Sequence, residues 1–349
     1  MIETGTGDLL KAPVEALVNT VNTVGVMGKG LALQFRQAFP ANYAAYKKAC
    51  DRKELEPGRM FVFDTGLLTG PRIIINFPTK RHWKGKSKIE DVKTGLRDLV
   101  RILSERRVKS VAVPPLGCGQ GGLAWQEVRP LIVKALGELE TRVLLFGPED
   151  GTRQASDMVV NTAKPKLTPA RAALLLSMSR YGEPGTTFTK LELQKLCYFQ
   201  MVAGEPSLVS SAKFEPQQYG PYSEPLNHLL QRMEGHFIRG YGDRTVPSSV
   251  VLLPAATKEA TLYLSTLPDT RRRAERVNTL IKNFEAPHGL ELLATAHWVA
   301  TKDSPTTDIE MVTARVHEWS ERKREKFPRE HIEVAMRRLD SNGWFATGH

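Results

Sequence analysis

Over its first 147 residues the chain alternates short, almost unbroken apolar runs with longer stretches whose apolar residues recur every three or four positions. Few folds accept that pattern. Val14-Glu15-Ala16-Leu17-Val18-Asn19, Met60 to Phe63, Arg72 to Phe77, Ser110 to Pro114 and Arg142 to Phe146 read as strands. Runs so continuously apolar suit a sheet covered on both faces. Leu31 to Cys50, Ile89 to Arg106 and Gln126 to Leu139 read as helices. In the second of these, Val92, Leu96, Leu99, Val100 and Leu103 line up as one apolar stripe. Strands alternating with helices predict a layered α/β fold.

Gly147-Pro148-Glu149-Asp150-Gly151 ends the alternation, and residues 151–167 are polar without periodicity, as a linker is. The remainder reads as helical: Arg171 to Arg180, Lys190 to Val202, Glu224 to Met233, Leu290 to Thr301, Asp308 to Phe327 and Glu330 to Leu339. A chain of 349 residues fits two domains, expected at 1–150 and 168–349. The charge is uneven. Residues 1–166 carry 26 basic against 17 acidic side chains, and residues 167–349 carry 23 against 21. An excess of one sign in one half suggests that this half meets a polyanion. No apolar run approaches the roughly 20 residues that span a bilayer, and the first residues have neither a basic nor an apolar signal region. Cys50, Cys118 and Cys197 are too scattered for a disulfide framework. The expectation is a reduced, cytoplasmic protein with no membrane partner.

Three polar or glycine-rich segments fall in the first domain. They are Gly7-Asp8-Leu9-Leu10, then Asn19-Thr20-Val21-Asn22 with Met27-Gly28-Lys29-Gly30, and Pro115-Leu116-Gly117-Cys118-Gly119-Gln120-Gly121-Gly122 between a strand and a helix. Glycines let backbone N–H groups approach a phosphate, and the following helix adds its positive end. Ligands of open α/β sheets sit where such loops gather, at the carboxyl ends of strands. Neither a dinucleotide fingerprint nor a P-loop is present. The segment Lys80-Arg81-His82-Trp83-Lys84-Gly85-Lys86-Ser87-Lys88 is strongly basic around one aromatic. Such a segment meets phosphates with its cations and an unpaired base with its ring, or else is a solvated loop with Trp83 packed beneath it.

In their order and spacing, Gly7 to Leu10, Ala16 to Asn22 and Gly117-Cys118-Gly119 resemble a macrodomain, with the match covering roughly residues 1–148. Val24 to Ala32 together with Pro78-Thr79-Lys80 are similar to the DarG branch, antitoxins that act as DNA ADP-ribosyl glycohydrolases. The human terminal ADP-ribose glycohydrolase is a more distant relative. The resemblance implies a three-layer α/β/α domain with a mixed sheet that binds ADP-ribose. On that basis Asp8, with Leu9 beside it, accepts from the adenine amino group, and Asn22 bonds the distal ribose next to Thr20 and Val21. Met27, Gly28, Lys29, Gly30 and Leu31 wrap that ribose and a phosphate, with Thr79 nearby. The N–H groups of Gly117, Cys118, Gly119, Gln120 and Gly121 cradle the diphosphate. Asp8 is alternatively a turn or cap residue, and Cys118 is read as a small packing residue, since nothing pairs a base with it.

Lys80 is the candidate catalytic residue. Cationic neighbours favour a neutral amine, able to attack an opened ribose at its anomeric carbon or to act as base on water. The human relative has an acidic residue in its diphosphate loop, whereas Gln120-Gly121-Gly122-Leu123 has none. Water or another group replaces it, or the lysine works differently. Arg81, His82, Trp83, Lys84 and Lys86 are the candidate nucleic-acid contacts, for which single-stranded DNA carrying ADP-ribose on thymidine is the implied substrate and ADP-ribose the product. No metal or redox cofactor is expected.

In the second half, Lys190 to Phe199 and Gln218-Tyr219-Gly220-Pro221-Tyr222-Ser223 resemble the helical antitoxin domain called Panacea, related to the proteolytic adaptor SocA. This implies a module that holds a DarT-type ADP-ribosyltransferase toxin through residues 168–349. Tyr219 and Tyr222 alternatively pack a Gly-Pro turn, and Arg271-Arg272-Arg273-Ala274-Glu275-Arg276 reads as a solvated helix face. His228, His236, His288, His297 and His317 have no metal-ligand spacing. Two other functions fit the first domain: a reader that binds ADP-ribose without turnover, and a hydrolase of ADP-ribosylated protein or O-acetyl-ADP-ribose.

Overall fold

A computed structural model describes residues 1–148, 159–181, 186–242 and 249–345. The chain forms two compact units, one of Met1–Ala163 with Gly242–Arg244, the other of Lys164–Tyr241 with Thr245–His349.

The first unit is built on a six-stranded sheet. Its strands are β1 (Ile2–Thr4), β2 (Ala16–Asn22), β3 (Phe61–Asp64), β4 (Ile73–Lys80), β5 (Ser110–Val113) and β6 (Arg142–Leu145), in the spatial order β1-β6-β5-β2-β4-β3. All neighbours run parallel except β3, which lies antiparallel along β4. The helices are α1 (Gly30–Ala38), α2 (Pro40–Asp51), α3 (Ile89–Glu105) and α4 (Trp125–Leu136). Alternate residues of the central strands serve opposite faces. Ala16, Val18, Ile73, Ile75 and Phe77 join Val92, Leu96, Leu99 and Ile132 of α3 and α4 in one core. Leu17 and Ile74 join Phe35 and Ala38 of α1, while Val21 meets Tyr46 and Cys50 of α2. The result is three layers with a mixed sheet, as expected.

Two departures have local causes. The helical pattern from Leu31 to Cys50 is two helices, because Pro40 starts α2 and Phe39 leaves helical backbone at φ −131°. Strand β1 is only three residues, two of them polar, so it carries no period of its own; pairing with β6 makes it a strand.

The pairing of β2 with β4 contains one irregularity. Val21 lies opposite Pro78, but Asn22 lies opposite Lys80, so Thr79 is an extra residue. Bulges in parallel pairs are rare and re-aim the side chains that follow them.

The second unit is mostly helical: α5 (Pro169–Tyr181), α6 (Lys190–Val202), α7 (Pro206–Ser211), α8 (Leu226–Met233), α9 (Pro254–Ser265), α10 (Pro268–Ile281), α11 (Pro287–Thr301), α12 (Ile309–Trp319), α13 (Glu321–Lys326) and α14 (Arg329–Ser341). Helices α5, α6 and α11 bury side chains on nearly every face, the mark of helices at the centre of a core. A capping box at Thr189 and Glu192 starts α6. The pattern from Asp308 to Phe327 divides at Ser320, whose hydroxyl caps α13. Short strands are added at Thr187–Phe188, Ile238–Arg239 and Val250–Leu252, and as the hairpin Glu215–Gln217 with Gly220–Tyr222. Arg271 and Arg272 are exposed and paired to Glu275 and Asp269, as on a solvated helix face, but Arg273 is half-buried and pairs with the buried Glu205, so only part of the 271–276 stretch is solvated. No helix among the described residues is long and apolar enough to cross a membrane.

Of the segment expected to be a linker, 151–158 lies outside the described residues. Residues 159–163 lie against the first unit, where the Asn161 N–H donates to the Gln37 carbonyl and its side-chain amide to that of Ala38.

Candidate functional site

Strands β5, β2 and β4 are neighbours and parallel, so the loops after their carboxyl ends, 114–124, 23–29 and 81–88, open side by side. That is the crevice in which open α/β sheets bind ligands.

Asn22, at the end of β2, is 6% exposed. Its Oδ1 accepts from the Val24 and Val26 N–H groups at 3.0 and 3.2 Å, and its Nδ2 donates to the Val26 carbonyl at 2.5 Å. The hydroxyl of the buried Tyr46 donates to the Asn22 carbonyl at 2.7 Å, and burial pushes that phenol well above its ordinary pKa. Asn22 therefore shapes the 23–26 loop. The loop presents Val24 and Val26 to solvent while Met27 turns inward and is fully buried, so Met27 offers a ligand its backbone only. Beyond Gly28, Lys29 and Gly30, no side chain caps the start of α1, where Leu31 is partly exposed. The Gly30 N–H, however, already donates to the Gly242 carbonyl at 2.6 Å, so this first group of the helix is taken.

Beneath this loop lies a buried amide network invisible in the linear sequence. Asn19 Nδ2 donates to Asn76 Oδ1 at 3.0 Å, and Asn76 Nδ2 donates to Asn42 Oδ1 at 2.7 Å. It ties β2, β4 and α2 together below the crevice. The only sequence signal was three asparagines in otherwise apolar surroundings.

Asp8 caps a 3₁₀ turn at Leu9–Lys11, accepting from the Leu10 N–H at 3.1 Å, and the Leu9 side chain is buried in the core. Thr20 is partly exposed, and Val21 is buried. The Thr79 hydroxyl is aimed at the Val21 carbonyl, 3.5 Å away.

The third loop has the geometry of an anion cradle. Gly117 has φ +70°, which a side chain disfavours. A Cβ at Gly121 would lie 2.2 Å from the Gly117 carbonyl oxygen. The chain is held by Leu123 N–H to Gly117 at 3.1 Å and Gly122 N–H to Gly119 at 2.9 Å. The N–H groups of Gly119, Gln120 and Gly121 donate to no protein acceptor among the described residues. Successive N–H groups of this kind form a concave nest for phosphate oxygens. The Cys118 thiol points at the Leu116 carbonyl, 3.4 Å away, and packs at the edge of the α3/α4 core.

Lys80, the last residue of β4, is 8% exposed. By strict alternation its side chain would follow Ile74 and Asn76 toward α1 and α2. After the Thr79 bulge its amine instead donates to the Gln120 carbonyl in the anion loop. The structure thus brings Lys80 and the 117–121 loop into direct contact, with Asn22 opposite Lys80 on β2.

The basic segment follows at once. Arg81 bonds Asp91 with both terminal nitrogens, at 2.8 and 3.2 Å, so one cation beside Lys80 is already paired. The Arg81 carbonyl accepts from the Thr23 hydroxyl at 2.7 Å, which links the 81–88 loop to the 23–29 loop. Trp83 is 44% exposed, with the Lys84 ammonium 5.0 Å from its ring centre and the His82 ring at 5.4 Å. It does not pack beneath its loop. His82, Lys84 and Lys86 are exposed.

In the second unit, Tyr219 lies under the Arg322 guanidinium, 4.5 Å from ring centre to carbon, and the Tyr222 hydroxyl accepts from Asn227 at 2.9 Å. The turn between them seats Gly220 against Thr295 and Lys195.

The Macro domain family model matches residues 18–132. Over 338 residues the chain is 50% identical to a DNA ADP-ribosyl glycohydrolase of Thermus aquaticus, covering 97% of this chain and 92% of that protein. A protein of the same name from Mycobacterium tuberculosis is 43% identical over 356 residues, with coverage of 97% and 99%. A DNA ADP-ribosyl transferase-DNA ADP-ribosyl glycohydrolase fusion protein of Thermosipho africanus is 40% identical over 157 residues, which are 41% of this chain and 40% of that one.

Proposed function

The chain belongs to the DarG family of DNA ADP-ribosyl glycohydrolases, and from that membership we propose that Lys80 carries its chemistry and that the substrate is ADP-ribose on thymidine in single-stranded DNA. The nest at Gly119 to Gly121 holds the diphosphate, and the amine bonded to Gln120 faces the distal sugar. In the net reaction the N-glycosidic bond breaks, the hydroxyl of water adds to the anomeric carbon, and the proton goes to the base nitrogen. The lysine amine acts either as the base on that water or as a transient nucleophile on the opened sugar. Asn22 shapes the loop beside that sugar, and Trp83 with Lys84 and Lys86 grips the neighbouring strand.

The observation that carries this reading is the buried Lys80 amine against the anion loop, an arrangement that an inert surface lysine would not adopt. The full-length relatives are named as glycohydrolases, which favours turnover over a reader that only binds. Lys80→Ala should lower release of ADP-ribose from modified single-stranded DNA by about 10²- to 10⁴-fold, the usual worth of a positioned proton-transfer group. Binding of free ADP-ribose, measured by calorimetry, should be nearly unchanged. Full turnover by the variant would remove Lys80 from the mechanism.

The fusion of transferase and glycohydrolase in the Thermosipho protein supports a DarT-type toxin as the partner, and the resemblance of residues 190–199 and 218–223 to the Panacea domain assigns its binding to the helical unit. The chain is then an antitoxin twice over, reversing the modification and holding the enzyme that makes it.

A further inference from the structure

Ser87 is the last residue but one of the basic segment and takes no part in the chemistry so far described. It is 7% exposed, and its N–H donates to the Gly121 carbonyl at 2.9 Å. Its hydroxyl oxygen is buried and has no hydrogen-bond partner among the described residues. A buried hydroxyl that bonds nothing is costly, and such groups are rare in native proteins.

Its surroundings suggest the missing partner. A Cβ built on Gly121 would fall 2.3 Å from the Ser87 hydroxyl oxygen and 2.2 Å from the Gly117 carbonyl oxygen. The two oxygens therefore crowd the same point beside Gly121, with no bond between them. The Gly117 carbonyl accepts one bond, from Leu123, and a carbonyl has two lone pairs. The same loop carries the N–H groups of Gly119 to Gly121, which donate to no protein acceptor among the described residues.

We propose that Ser87 is a positioning residue, a latch whose hydroxyl donates to the Gly117 carbonyl when a diphosphate fills the loop. An anion draws the N–H edges of these peptides toward itself, and the loop tightens around Gly121 until the hydroxyl and carbonyl meet. Binding would thus give the Ser87 hydroxyl a partner that it does not have among the described residues. This inference rests on the reading of the loop as a diphosphate site.

The test is calorimetric titration of ADP-ribose into the full chain and its Ser87→Ala variant, with thermal unfolding of both in the absence of ligand. Loss of one net hydrogen bond made only in the complex should weaken Kd by about 3- to 10-fold. Without ligand the variant should melt no lower than wild type, since it loses a group that has no partner. Equal affinities would overturn the latch. So would a fall in the ligand-free melting temperature matching the loss of affinity, which is how an ordinary structural serine behaves. If wild type itself fails to bind ADP-ribose, the diphosphate reading falls and takes the latch with it; binding by wild type with equal affinity in Ser87→Ala sinks the latch alone.

Discussion

Lys195 and Lys323 place two ammonium groups inside the helical unit, 1% and 0% exposed. Lys323 bonds Glu291 and Thr295, at 3.0 and 3.1 Å, whereas Lys195 has the Pro221 carbonyl at 2.7 Å. Burial, and then the charge of Lys323, brings Lys195 down to about 7. Burial works to raise Glu291, but Arg322, Lys326 and Lys323 overcome it and hold the carboxylate near 2. Because the Lys195 pKa is lower folded than unfolded, the unfolded chain binds more protons between about pH 7 and 10.5, and stability rises with pH across that window. Lys195→Met should raise the melting temperature at pH 7 and flatten that rise; an unchanged slope in a pH series would dispose of the argument. At this scale the sequence was readable where chemistry is local. Lys80 and Trp83 stood out by type and by neighbours. Asn42 and Asn76, 34 residues apart and bonded to each other, did not, nor did Ser87, whose meaning comes from glycines 30 and more residues away.

Among the elements, the 81–88 loop borders the crevice, and in the function proposed above it is the part that meets nucleic acid. Its exposed Trp83 offers a base one stacking face, worth about 1–3 kcal/mol. Trp83→Ala should therefore raise KM for modified single-stranded DNA by about 5- to 150-fold and leave ADP-ribose affinity alone. If affinity for the free nucleotide fell equally, the ring would belong to the sugar site instead. The strands and long helices of the first unit were legible because their periods are strong, as in α3, with its single stripe. The break at Phe39 was masked by apolar spacing that runs on through Pro40. The bulge at Thr79 has no sequence signature, since a register shift is a property of two strands together.

For the whole molecule, each unit encloses its own apolar core, so function should divide along the chain. A fragment of residues 1–163 should keep turnover on modified DNA, and residues 164–349 should co-purify with the toxin; toxin captured by the first fragment alone would reverse that division. The change from alternating strands and helices to helices was plain from composition and spacing. Which residues of the second half meet a partner was not, because a turn such as 218–223 is needed for packing whatever else it does. The Thr79 irregularity, finally, bears on how such proteins diversify. Side chains along β4 can be exchanged one at a time, but gaining or losing a single residue there would swing the Lys80 amine, the proposed catalytic group, to the opposite side of the sheet. Sequences that drift by indels at this point should lose turnover while still folding and still holding the nucleotide, which offers one route from hydrolase to reader.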